Sequence, residues 1–196
     1  MEIKCWAIDR PVSSPFAFPE GRAGRWAGRF MRMTNRQKEL ALLMAPRPGE
    51  RVLEVGYGPG ALIAILARSG AGIYGVDPSA EMRALATRRN AGRADLRLGT
   101  ADATGFADGY FDHVVSVNNV ALWPDLGKGL SELRRVTRPG GTVLIAWHGG
   151  TSPPLLARRF RLPDERLAQI DEALTRLFAR VRRHELRALT VFRAIR

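Results

Sequence analysis

The sequence predicts an α/β fold, a mostly parallel sheet covered by helices on both faces. Three observations carry the prediction. From residue 51 onward, short runs rich in Val, Ile and Leu alternate with helical runs in the order strand, loop, helix. Several of the strand runs are apolar on both faces, as strands buried on both sides must be. Hydrophobic residues make up 45% of 196 residues, enough for the core of one domain and short of two.

The elements follow in order. Residues 11–21 (PVSSPFAFPEG) hold three prolines and read as an irregular arm. Residues 24–45 place Trp26, Phe30, Met33, Leu40 and Met44 at roughly helical spacing, in two pieces broken near Thr34, with Thr34 or Asn35 as a cap. Pro46, Pro48 and Gly49 stop that helix, so residues 1–45 form an N-terminal arm with cap helices and 46–196 the core domain. RVLEVG is the first strand and ALIAILARSG the first core helix. GIYGVD is the second strand; AEMRALATRRNAG is the next helix, with Ser79 as N-cap and Gly92 just past its end. ADLRLG and FDHVVSVN are the third and fourth strands. DLGKGLSELRRVT is a helix ended by Pro139-Gly140-Gly141, and TVLIAWH is the fifth strand. Residues 149–163 read as loop, 164–176 as helix, and 178–184 and 188–195 as two strands at an antiparallel edge.

Composition narrows the function classes. The single cysteine, Cys5, excludes an internal disulfide and a thiolate metal cluster, and no metal site is expected. No run reaches 18 apolar residues and no signal peptide is read, so a cytoplasmic protein is expected. The net charge is +12, and it is uneven: residues 1–48 carry 9 basic and 4 acidic side chains, 49–148 carry 11 and 10, and 149–196 carry 11 and 5. The basic ends suit an anionic substrate, a nucleic acid, a membrane surface or an acidic partner, or serve solubility.

The segment Val52-Leu53-Glu54-Val55-Gly56-Tyr57-Gly58-Pro59-Gly60 joins a strand to a helix. Gly56, Gly58 and Gly60 allow a tight turn and close approach of a ligand to main-chain N–H groups. Alone the loop is compatible with NAD, FAD or another adenosine cofactor. Asp77 ends the second strand, 21 residues after Gly56, where a carboxylate accepts ribose hydroxyls. Glu54 is placed to meet a cationic amino group and is awkward beside a pyrophosphate. Asp102 can accept from an exocyclic adenine amine. Three acids so placed suit a ligand with two polar ends and no phosphates.

Here the chain resembles the class I S-adenosylmethionine-dependent methyltransferases of the small, single-domain, type 11-like kind. VLEVGYGPG resembles the family's first motif, GVDPS its acidic loop, GTADATGF the segment that brackets adenine, FDHVVSVNNVALW the strand flooring the cleft, and ELRRVTRPGGTVLIAW the closing helix, turn and strand. The resemblance covers about residues 50–148. It implies a Rossmann-like, seven-stranded sheet with an antiparallel last strand, and S-adenosyl-L-methionine as cofactor with S-adenosyl-L-homocysteine as product. It assigns Glu54 to the methionine amino group, Gly56, Gly58 and Gly60 to the methionine and ribose portions, Asp77 with Pro78 to the ribose, and Asp102 and Ala103 to adenine. Met82 and Phe106 are candidates to wall the adenine or to be plain core, and Asn118 lies where transferable methyl groups are met.

In such an enzyme the protein mainly aligns and shields the reactants. Asn118 and His148 are the candidate catalytic residues, and no clear general base is present. His113 is dismissed as lying at the far end of its strand, and His184 reads as surface. Cys5 belongs to the arm, away from the cleft, which disfavours a covalent cysteine mechanism. Phe18, Trp26, Phe30 and Trp123 are expected to line a substrate pocket, Trp123 alternatively covering the helix that follows. The expected acceptor is a small aromatic or amphipathic metabolite. An RNA base or ribose is the second reading, and a non-methylating protein of the same fold the third. Integral membrane association is not expected, and either a monomer or a homodimer is.

Overall fold

In the computed structural model, residues 5–7 and 37–196 are described, and Phe18, Trp26, Phe30, Thr34 and Asn35 lie outside them. Seven strands make one sheet: β1 Arg51–Val55, β2 Gly72–Asp77, β3 Asp95–Leu98, β4 Phe111–Val117, β5 Thr137–His148, β6 Arg180–Glu185 and β7 Leu189–Ile195. Their spatial order is β3-β2-β1-β4-β5-β7-β6. Pairs among β1 to β5 are parallel, and β7 is antiparallel to both β5 and β6. The expected seven-stranded, mostly parallel sheet with an antiparallel last strand is therefore what forms.

The helices are α1 Lys38–Met44, α2 Ala61–Leu66, α3 Ala80–Asn90, α4 Leu126–Val136, α5 Leu155–Arg158 and α6 Asp164–Leu177. Successive side chains of a strand enter opposite layers. Val52, Val115, Leu144 and Val191 join Leu40 of α1, Leu62 of α2 and Met82 of α3 in one layer. Leu53, Val114, Val143 and Phe192 join Leu130 of α4 and Ile170 of α6 in the other. This double burial is why the strands read as near-continuous apolar runs.

Several boundaries differ from the sequence reading. α1 starts after Gln37, which makes no side-chain cap bond. The Ser79 hydroxyl does cap α3, accepting from the Met82 N–H at 3.2 Å. Pro139-Gly140-Gly141 is not a turn between helix and strand but lies inside β5. The strand shifts register between Phe111 and His113, and Gly140 takes φ +74° in the irregular stretch. A side chain on Gly141 would sit 2.8 Å from the Asp112 carbonyl, so the irregularity needs glycine there. Within the segment read as loop, Leu155–Arg158 forms one helical turn after two prolines.

The connection from β3 to β4, residues 99–110, contains no helix. Four rings cover the sheet in its place: Phe106 meets Tyr74 and Phe111 edge-on at 5.8 and 4.9 Å and stacks on Tyr110 at 6.2 Å. The Glu132 carboxylate of α4 accepts from the Thr104 N–H at 2.9 Å and the Thr104 hydroxyl at 2.6 Å. Arg135 donates to Glu132 and to the Phe106 carbonyl, and pairs with Asp108. These partners outweigh burial and hold the Glu132 carboxyl down at about 2.

Candidate functional site

A parallel sheet opens its ligand cleft at the carboxyl ends of its strands. At the end of β1, Gly56, Gly58 and Gly60 all take positive φ, at 74°, 52° and 72°. The Gly56 N–H donates to the Val76 carbonyl at 2.8 Å and so ties the loop to β2. A side chain at Gly60 would meet Asn90 Nδ2 at 2.6 Å and Ala86 Cβ at 2.9 Å, so this glycine lets α3 pack close beside the loop.

Asp77 is 7% exposed. Its Oδ2 accepts from the Gly58 N–H and its Oδ1 from the Ser79 N–H, both at 2.9 Å. Burial pushes its carboxyl up, and these two bonds oppose the push. Asp77 thus braces the glycine loop and the start of α3 together. Glu54 is 1% exposed, and its Oε2 is buried with no hydrogen-bond partner. Burial first, and the Asp77 charge second, raise its carboxyl well above the usual range, against the Ile63 N–H bond that lowers it. A buried acid with one satisfied and one unpartnered oxygen can still accept from a cationic donor. Pro78 is exposed beside Asp77.

Asn118, after β4, has φ +55°, and its N–H donates to the Ala146 carbonyl at 2.8 Å. From sequence, Asn118-Asn119 could orient a substrate amine or hydroxyl; the Asn119 side chain instead bonds within the protein and holds the site together. Its Nδ2 donates to the Val55 carbonyl at 2.7 Å. Its Oδ1 accepts from the Ser116 hydroxyl at 2.5 Å and the Trp123 indole N–H at 2.9 Å. A side chain on Gly56 would lie 1.3 Å from Asn119 Nδ2, so glycine and asparagine are a matched pair. The signal was present in Asn118-Asn119, but the partner carbonyl lies 64 residues away.

Other expected residues fall differently. Met82, on α3, packs in one core layer and Phe106 in the ring cluster of the opposite layer. Trp123 is 5% exposed, with its ring against Gly129 of α4, which agrees with the helix-covering alternative. Asp102 and Ala103 are exposed in a tight turn closed by the Thr100–Ala103 bridge. Asp102 faces a shallow depression of about 470 Å³ lined also by Lys128, Ser131, Glu132 and Arg135.

His148 ends β5, next to Phe160 with ring centroids 5.6 Å apart. Burial lowers its pKa to about 4, so it is neutral but a weak proton acceptor near neutral pH. His113 bonds Thr142 at 2.6 Å and Glu50 at 3.1 Å at the foot of the sheet. His184 is half-buried rather than on the surface, and its Nε2 is buried without a partner.

Cys5 was expected away from the cleft and is instead docked beside it. Its Sγ donates to the Leu122 carbonyl at 3.4 Å, in the 3₁₀ turn Val120–Leu122 that follows Asn118 and Asn119. Trp6 donates from its indole to the Val120 carbonyl at 2.6 Å and from its main chain to the Trp123 carbonyl at 3.1 Å. Burial raises the Cys5 thiol pKa, so a buried and hydrogen-bonded thiol, rather than distance, argues against a cysteine nucleophile. Among the described residues no cluster suits a metal ion, and no helix is long and apolar enough to cross a membrane.

The sheet order, the glycine loop and the acid at the end of β2 together make a Rossmann-like fold with a nucleotide-type loop at its carboxyl edge. Residues 53–145 match the model of the methyltransferase domain family. The chain is 42% identical over 105 residues to a demethylmenaquinone methyltransferase of Beutenbergia cavernae, covering 53% of this chain and 42% of that protein. It is 33% identical over 144 residues to nocamycin O-methyltransferase of Saccharothrix syringae, covering 70% and 50%. The chain spans about half the length of the curated relatives it matches. A SAM-dependent methyltransferase structure from Aquifex aeolicus shares the fold at a TM-score of 0.66 and 15% identity, over 85% of this chain and 96% of that one.

Proposed function

We propose that this protein is a S-adenosyl-L-methionine-dependent methyltransferase acting on a small aromatic or amphipathic metabolite. The observation that carries the reading is the buried, unpartnered Glu54 Oε2 beside a left-handed glycine loop braced by Asp77. Glu54 would take the cationic amino group, the main chain of Gly56, Gly58 and Gly60 the methionine and ribose portions, and Asp77 with Pro78 the ribose. The turn at Asp102 and Ala103 would serve the adenine. When bound, the cofactor supplies a methyl group already activated on a positively charged sulfur. The residues of this chain then need only orient the acceptor and exclude water. Asn118 stands at the end of β4 to orient it, and His148, neutral and apolar in its surroundings, lines rather than drives the reaction. Residues 1–45 are assigned to the same site; support comes from Cys5 and Trp6, which dock on the turn after Asn119. The small-metabolite class is favoured because relatives are named for a quinone and for nocamycin.

Calorimetry with S-adenosyl-L-homocysteine tests the reading. Binding on the micromolar scale, roughly −8 kcal/mol, is expected. Tight binding of NADH without response to the homocysteine compound would refute it.

A further inference from the structure

The segment between β5 and α6 is the least buried apolar stretch near the cleft. Leu155 is 78% exposed and Phe160 38% exposed. Arg158, Arg159 and Arg161 are exposed between and beside them, and no acidic side chain pairs with any of the three among the described residues. The patch is fixed to the cleft edge of the sheet. The Trp147 indole donates to the Phe160 carbonyl at 2.6 Å, and the Phe160 ring meets His148 at the carboxyl end of β5. Apolar side chains held in water among unpaired cations mark an interaction surface.

We infer that Leu155, Arg158, Arg159, Phe160 and Arg161 form a docking surface for an anionic phospholipid membrane. A phosphodiester strand would use the arginines and could stack a base on Phe160, but would leave the aliphatic Leu155 in water. A bilayer surface takes both, because its headgroups attract the guanidinium groups while the acyl boundary receives the apolar side chains. Arginine stems also tolerate that boundary, their apolar methylenes lying inward and their charged ends outward. Docking here would turn the carboxyl ends of the strands toward the membrane, so that an amphipathic acceptor could enter without crossing water. The docking itself does not depend on the methyl-transfer reading.

The test is cosedimentation of the full chain with vesicles, without cofactor. Vesicles of phosphatidylcholine mixed equally with phosphatidylglycerol should bind it, and pure phosphatidylcholine vesicles should not. Each basic residue near such a surface contributes about fivefold in partitioning, so R158S/R159S/R161S should lose on the order of a hundredfold. L155S/F160S, which keeps every charge, should lose about tenfold or more. A control, R88S/R180S/R182S, removes the same net charge from exposed positions on α3 and β6 and should stay within about fivefold of the wild type, since distant charges are screened. Equal loss in the two arginine triples would show that net charge alone binds and would overturn the inference. So would full vesicle binding by L155S/F160S, or binding of single-stranded RNA without binding of anionic vesicles. Homocysteine-compound affinity, measured on the same triples, reports separately on the cofactor site and should not change.

Discussion

Glu54→Gln isolates the charge of the buried acid while keeping its shape. The variant retains an oxygen for the Ile63 N–H but places a donor NH₂ where Oε2 stands open. If a cationic amino group occupies that place, the variant loses a charge-assisted hydrogen bond worth about 1.5–3 kcal/mol. Affinity for S-adenosyl-L-homocysteine should therefore fall about tenfold to a hundredfold. The protonation state gives a second readout. Burial and the Asp77 charge raise the Glu54 carboxyl well above its usual range, so the unliganded protein holds its proton to higher pH than a solvated glutamate would. A bound ammonium favours the carboxylate, so binding releases a proton from the wild type. Calorimetry in buffers of different ionisation enthalpy should then count fewer protons released for the variant than for the wild type. Stability should move the other way. Because the folded value lies above the unfolded one, the wild-type acid favours the fold at low pH and loses that contribution as pH rises through the folded value. The thermal midpoint of Glu54→Gln should thus gain on the wild type as pH rises. Equal proton counts and equal affinities in the two proteins would refute the reasoning.

Gly56→Ala should cost about 3 kcal/mol or more in urea unfolding, from left-handed backbone strain and displacement of the Asn119 bonds; a loss under about 1 kcal/mol would show the loop is not held as described. His148 should titrate by NMR with a midpoint near 4. Its neutral ring favours the fold above about 6.5, and this contribution is lost as pH falls toward 4, so a midpoint near 6.5 would contradict its burial. Trp6→Phe keeps an aromatic ring and removes the bond to the Val120 carbonyl. Stability should fall by only about 1 kcal/mol, while methyl-transfer turnover should fall about tenfold or more if the anchor sets the geometry of the site; unchanged turnover would make Trp6 a structural residue only.

The alternation from residue 51 onward exposed the sheet to view because the central strands β1, β2, β4 and β5 are buried on both faces and read as apolar runs between helical stretches. Gly56, Gly58, Gly60 and Asp77 were legible for a related reason, since their spacing is local to one strand–loop–helix unit. Asn119 was not, because its meaning lies in the Val55 carbonyl and the missing side chain of Gly56, contacts made across the sheet. The docking partners of Cys5 and Trp6 were not legible either, lying more than a hundred residues away in sequence. Pro139-Gly140-Gly141 misled because the same residues that make a turn also serve an irregular strand. Asp102 read as an acceptor for an adenine amine from its place after the third strand; that its turn also faces Lys128, Ser131 and Glu132 of α4 was not legible, because those residues lie more than twenty positions on.

The crossover from β3 to β4 is secured by rings and by charge, with no helical ladder of its own. Its amides should therefore exchange with solvent by local opening, well before the central strands do. Because the Glu132–Arg135–Asp108 arrangement is partly exposed, that opening will also become easier as salt is added, while the sheet beneath keeps its protection. Residues 99–110 thus form a separately adjustable module, whose outward side chains can change during divergence without retuning the core that carries them.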